Sequence, residues 1–231
     1  MPRSVGATME SFVDQGSGFF RLTGPAAYGV SYGTFTMDTG DSDILSRHSV
    51  RRHRLTLDDY HRLGEAGILG EDDRVELLEG QLVDMSPIGP RHALAVDALT
   101  ELLVIAASGR AGVRVQNPIA LDGGTEPQPD IVLVRRPWRG YPASHPGPED
   151  IILLVEVADT SRDMDLGAKR ELYARAGIRE FWIVDLITNG VLVCRNPGGD
   201  RYAAVTRVEP AGVLAVEGLP GVTIPAGSLF T

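Results

Sequence analysis

Two strand-length apolar runs, each with a carboxylate at its rim, constrain this chain more than any other feature. Pro129-Asp130-Ile131-Val132-Leu133-Val134 is followed by Ile151-Ile152-Leu153-Leu154-Val155-Glu156-Val157. Near-continuous β-branched and aliphatic residues of this length predict strands covered on both faces. A carboxylate there costs several kcal/mol to desolvate unless something pairs with it. Asp130 enters the first run and Glu156 closes the second, so two acids at the rims of neighbouring strands predict a cation between them. Beyond them Asp165, Lys169 and Tyr173 recur at helical i, i+4 spacing, which predicts one helix over residues 165–175.

The remaining chain supplies a frame for that group. Residues 1–50 are rich in Gly, Ser and Thr, with no sustained helical period, and predict a flexible, disordered leader before a folded domain over 51–231. The basic stretch from Arg47 to Arg54 reads either as a phosphate-contacting arm or as a solvated linker. Thr56, with Asp59 three residues on, predicts a capped helix start. Glu76 and its neighbours, then Gly80, then Gln81 to Met85 predict a tight hairpin. Pro90 suits the start of an amphipathic helix running from His92 to about Ser108. Asn117-Pro118 interrupts a strand and places it near a sheet edge. The residues from Phe181 to Asp185 and from Val191 to Arg195 predict two strands joined by the Asn189-Gly190 turn. The tail reads as weaker edge strands.

Charge and cysteine use narrow the classes. The net charge is −9, which argues against a broad basic surface for nonspecific DNA binding. Acids clustered to hold a metal would add to that charge themselves. The single cysteine, Cys194, lies in an apolar run and reads as a buried core thiol. A reducing cytoplasm fits, and no run reaches the length of a membrane span.

Two carboxylates with a third oxygen ligand suit a hard divalent cation, Mg²⁺ or Mn²⁺. Such an ion polarises a phosphoryl oxygen and activates water, while a nearby lysine orients the water and offsets phosphate charge. On this reading Asp130 and Glu156 are metal ligands and Lys169 is the water-positioning cation. Glu76 is the best third acid; Glu79 competes but abuts the Gly80 turn. Each residue also has a plainer reading. Asp130 alone could belong to a turn, Lys169 alone could be a surface residue paired with Asp165, and His92 and Tyr173 could simply cap or pack.

In order along the chain come Glu76-Leu77-Leu78-Glu79-Gly80, Met85-Ser86-Pro87 with His92, Pro129-Asp130 and Glu156-Val157-Ala158-Asp159-Thr160-Ser161. Asp165-x3-Lys169-x3-Tyr173 and Gly177-Ile178-x2-Phe181-Trp182-Ile183-Val184-Asp185 follow. Over about residues 54–230 this series resembles the Uma-type restriction-endonuclease-like family, a branch of the PD-(D/E)XK nuclease superfamily. The resemblance implies an α/β (α+β) restriction-endonuclease-like core, with a mixed central β-sheet flanked by helices and an N-terminal hairpin extension. It implies a Mg²⁺-dependent endonuclease that hydrolyses DNA by a metal-activated water. Glu76, Asp130 and Glu156 match the family's acids, and Lys169 matches its lysine, carried on the following helix because Ala158 fills the nearer position. His92 and Tyr173 also match. Asp165, beside Lys169, joins them as a possible supporting residue.

The alternatives are a catalytically silent nuclease-fold protein that binds nucleic acid or a protein partner, and a hydrolase of another phosphate ester. Cleavage of both strands of a duplex would favour a homodimer.

Overall fold

A computed structural model of the chain describes residues 8–14, 17–23, 51–70, 72–136, 144–159 and 162–230. The chain divides into two compact units, Met1–Arg52 and His53–Thr231. In the first, β1 (Thr8–Asp14) and β2 (Ser17–Thr23) pair as an antiparallel hairpin. Paired strands therefore stand within the stretch expected to be a leader. The rest of it, with the first half of the basic stretch, lies outside the described residues. So do Trp138, Tyr141, Thr160 and Ser161.

The second unit opens with α1 (Leu57–Glu65), whose start is the expected capping box. Thr56 accepts from the Asp59 backbone, and Asp59 accepts from the Thr56 backbone in return. The hairpin of β3 (Val75–Leu78) and β4 (Gln81–Asp84) follows as its own two-stranded sheet. Its turn residues Glu79 and Gly80 both take positive φ, 49° and 77°, the demand of a two-residue hairpin loop. Gly80 is fixed twice over, because a Cβ there would come within 2.5 Å of the Arg54 Cβ. Gly80→Ala should therefore cost about 2 kcal/mol, read as a lower urea midpoint at unchanged slope. An unchanged midpoint would refute that account of the turn.

Next come α2 (Pro90–Ala107), β5 (Gly112–Val115), β6 (Ile131–Val134) and β7 (Ile151–Ala158). After them α3 (Arg162–Leu166) and α4 (Ala168–Arg175) lead into β8 (Glu180–Asp185), β9 (Gly190–Gly198) and β10 (Arg201–Val208). The central sheet has six strands in the order β10-β9-β8-β7-β6-β5. β7 and β8 run parallel and every other adjacent pair runs antiparallel. The prolines and turn after β5 leave it at one edge, as expected. β11 (Val213–Ala215) and β12 (Thr223–Pro225) form a small ladder of their own.

The central strands are buried on both faces, which explains their continuous apolar sequence. Ile131, Leu133, Leu153, Val155, Val157 and Trp182 pack against Leu99 and Leu103 of α2. Val132, Leu154, Ala158, Phe181 and Ile183 pack against Leu172 and Tyr173 of α4. Cys194 is buried on that second face. No described helix is long and apolar enough to cross a membrane.

One expectation fails. The continuous helix over residues 165–175 is two helices, broken at Gly167, whose φ of −105° and ψ of −100° leave the helical region. Glycine pays no steric penalty there, so i, i+4 spacing across it did not mean one helix. Lys169 and Tyr173 share α4, while Asp165 stands on α3.

Candidate active site

Strand alternation places the acids. On β7, Leu154 and Ala158 face α4, so Glu156, between them with period two, faces α4 as well. Lys169 and Tyr173 lie one helical turn apart above it. Glu156 Oε1 accepts from Lys169 Nζ at 3.1 Å and from the Tyr173 hydroxyl at 2.7 Å. Lys169 Nζ also lies 3.2 Å from Glu76 Oε1, so one ammonium bridges two carboxylates. Lys169 is thereby a buried residue rather than the surface residue of the plainer reading.

Each acid is also held by a second partner. Glu76 Oε2 accepts from the Gln128 backbone N–H at 3.1 Å. Asp130 Oδ2 accepts from the Val157 N–H at 2.8 Å and from His92 Nε2 at 3.0 Å, and Gln116 Nε2 donates to Oδ1 at 3.4 Å. Such partners fix carboxylate orientation before any ligand arrives. The relative exposures of Glu76, Asp130, Glu156 and Lys169 are 3%, 8%, 3% and 7%. These four, with His92 and the buried Asp165, line one cleft of about 380 Å³.

Burial drives the electrostatics. Desolvation pushes the Glu156 carboxyl well above the usual range, opposed by Lys169 and reinforced by Asp165, Asp130 and Glu76. Desolvation pulls Lys169 down, but Glu156, Glu76 and Asp165 together lift it above an ordinary lysine. Burial, then the neighbouring carboxylates, also raise the Tyr173 phenol. The hydrogen bond to Asp130 raises His92 against its partial burial.

A buried acid is not by itself a site, and Glu180 shows why. It is as buried as Glu156, yet it accepts from Trp182 Nε1, the Arg195 guanidinium and the Glu217 backbone N–H. Its charge is matched and its lone pairs are filled, a structural role. Six carboxylates, Glu76, Asp84, Asp130, Glu156, Asp159 and Asp165, line the cleft against Lys169, Arg74 and His92, an excess of negative charge. Oxygen donors with surplus charge and no thiolate are the donor set that Mg²⁺ or Mn²⁺ takes. Among the described residues, though, no three His, Cys, Asp or Glu side chains already converge as metal ligands. The Lys169 ammonium stands between two of the acids instead.

Glu76, His92, Asp130, Glu156, Asp165 and Lys169 line this cleft, and Tyr173 bonds to Glu156 against it. Glu79 does not line it: it pairs with Arg175 and Arg54. Gln116 and Gln128 escaped notice, because neither an amide side chain nor a backbone N–H leaves a distinctive pattern. A stronger signal did exist. Of the 22 lysine and arginine residues, Lys169 is the only lysine.

A model of the Uma2 family, described as “Putative restriction endonuclease”, matches residues 57–227. Among solved structures, a “putative nuclease belonging to DUF820” from Anabaena variabilis is similar at a TM-score of 0.60 and 16% identity. That match covers 76% of this chain and 97% of the other. It speaks to the fold, which is restriction-endonuclease-like. A comparison with curated proteins gave no match.

Proposed function

This chain belongs to the Uma2 family, and we propose that it is a Mg²⁺-dependent nuclease that hydrolyses DNA phosphodiester bonds in this cleft. The observation that carries the reading is the chain's one lysine, buried and bridging Glu76 and Glu156 in an acid-rich cleft. An ordinary surface lysine would not accept that desolvation.

Asp130 and Glu156, with Glu76 as third, would hold the ion, Mg²⁺ or Mn²⁺. When bound, the ion supplies Lewis acidity and lets water act as a nucleophile near neutral pH. Lys169 offers three donors on a compact charge, able to orient a water or phosphate oxygen and offset charge developing on phosphorus. Tyr173 keeps the Glu156 carboxylate turned toward the cleft, and His92 with the Val157 N–H does the same for Asp130. Burial keeps bulk water away and strengthens each of these interactions.

Nicking of supercoiled plasmid, with RNA and a small phosphate diester run alongside, tests the reading. Cleavage that needs Mg²⁺ or Mn²⁺, stops on chelation and is absent in Asp130→Ala is the expected result. Retained cleavage in that variant would sink the assignment.

The charge of −9 favours one rival, a silent member that binds nucleic acid or a protein. Calorimetry that detects no Mg²⁺ or Mn²⁺ binding at millimolar metal would select it.

A further inference from the structure

Arg74 stands at the mouth of the cleft and is the least committed cation around it. It lies two residues before Glu76, so extended-chain alternation sends both side chains to one side, and both line the cleft. Its backbone is held, with the Arg74 carbonyl accepting from the Met85 N–H at 2.8 Å. Its exposed guanidinium makes no ion pair or hydrogen bond among the described residues. Other arginines are engaged: Arg54 and Arg175 with Glu79, Arg91 with Asp159, Arg195 with Glu180, Arg207 with Glu209. An arginine that lines an acid-rich cleft and pairs with none of its carboxylates is available to an outside anion.

The cleft thus carries one buried cation on its floor and one exposed cation at its rim. A small phosphate ester brings a single phosphate and can use only the floor. A polynucleotide brings a neighbouring phosphate as well, and a guanidinium fork suits its oxygens. We propose that Arg74 anchors a phosphate flanking the scissile one, so that the substrate class is a polynucleotide rather than a small phosphate ester. The inference rests on the nuclease reading above, and Arg74 acts as a positioning residue.

The test compares wild type, Arg74→Gln, Arg74→Lys and a control, Arg201→Gln, on a DNA oligonucleotide and on bis(p-nitrophenyl) phosphate, a diester with no flanking phosphate. Arg201 is an exposed residue of β10 paired with Asp200, and its loss should change nothing. Arg74→Gln should raise the oligonucleotide KM about tenfold at retained kcat. It should also lower the salt slope of oligonucleotide binding by about 1. Its kcat/KM on the small diester should move by no more than about twofold, with an unchanged melting temperature. Arg74→Lys should recover part of the loss, keeping charge without the fork. Equal losses on both substrates, or no loss on the oligonucleotide, would overturn the assignment of Arg74 and leave the nuclease reading standing. If wild type hydrolyses neither substrate, the nuclease reading falls and takes this inference with it.

Discussion

Replacing Lys169 by Met should lower divalent-dependent cleavage by about a thousandfold and destabilise the protein by about 3 kcal/mol at neutral pH. The ammonium is 3.1 Å from Glu156 and 3.2 Å from Glu76, and both acids are buried. Without it, two like charges face each other where water cannot screen them. A melting temperature lower by roughly 6–12 °C is expected for a domain of this size. The loss should shrink as the pH is lowered, because protonating Glu156, whose carboxyl burial already raises, removes the repulsion. Added Mg²⁺ should narrow it too, by restoring positive charge. Lys169→Arg is a sharper variant. It keeps the charge but places a larger planar fork where a compact ammonium with three donors fits, so part of the stability should return without cleavage. Wild-type melting of Lys169→Met at neutral pH would show that the bridge is not what balances the acids.

How far this arrangement could be read from the sequence depends on the kind of signal. The runs around Asp130 and Glu156 announced themselves because strands buried on both faces must be apolar throughout, and an acid among them needs a partner. Thr56 with Asp59 was equally plain, since local hydrogen bonding acts within a few residues. The Asn189-Gly190 turn was only near the mark. Asn189 takes a φ of 49°, but Gly190 already pairs with Asp185 as the first residue of β9, leaving a loop over residues 186–189. Longer-range consequences were hidden. Nothing near Lys169 says that it reaches back to Glu76 on a distant hairpin, and the i−4 Asp165 offered a simpler partner. Gly167 broke that helix where spacing alone predicted continuity. Arg74 was invisible for a different reason: the role proposed for it rests on its having no partner among the described residues, which only the arrangement of its neighbours reveals.

Glu156→Gln should abolish cleavage as thoroughly as the lysine variant, and without its instability. In the folded protein, burial raises the Glu156 carboxyl well above its ordinary value of 4.5, and Lys169 offsets this only in part. Between that unfolded value and the raised folded one, the native state binds more protons than the unfolded state. Stability is therefore full below about pH 4.5 and is lost as the pH rises through the folded value. Glutamine has the same shape, still accepts from the Tyr173 hydroxyl and carries no charge to bury. Lys169 keeps Glu76 at 3.2 Å. The variant should melt at or above the wild-type temperature at neutral pH, with a flatter pH profile. Mg²⁺ should raise the wild-type melting temperature by mass action and the variant's much less. A variant as unstable as Lys169→Met would mean that Glu156 serves the fold rather than the reaction. If the two variants separate as described, Glu156 is an acid kept at a cost to stability, and binding a cation is the use that would explain why.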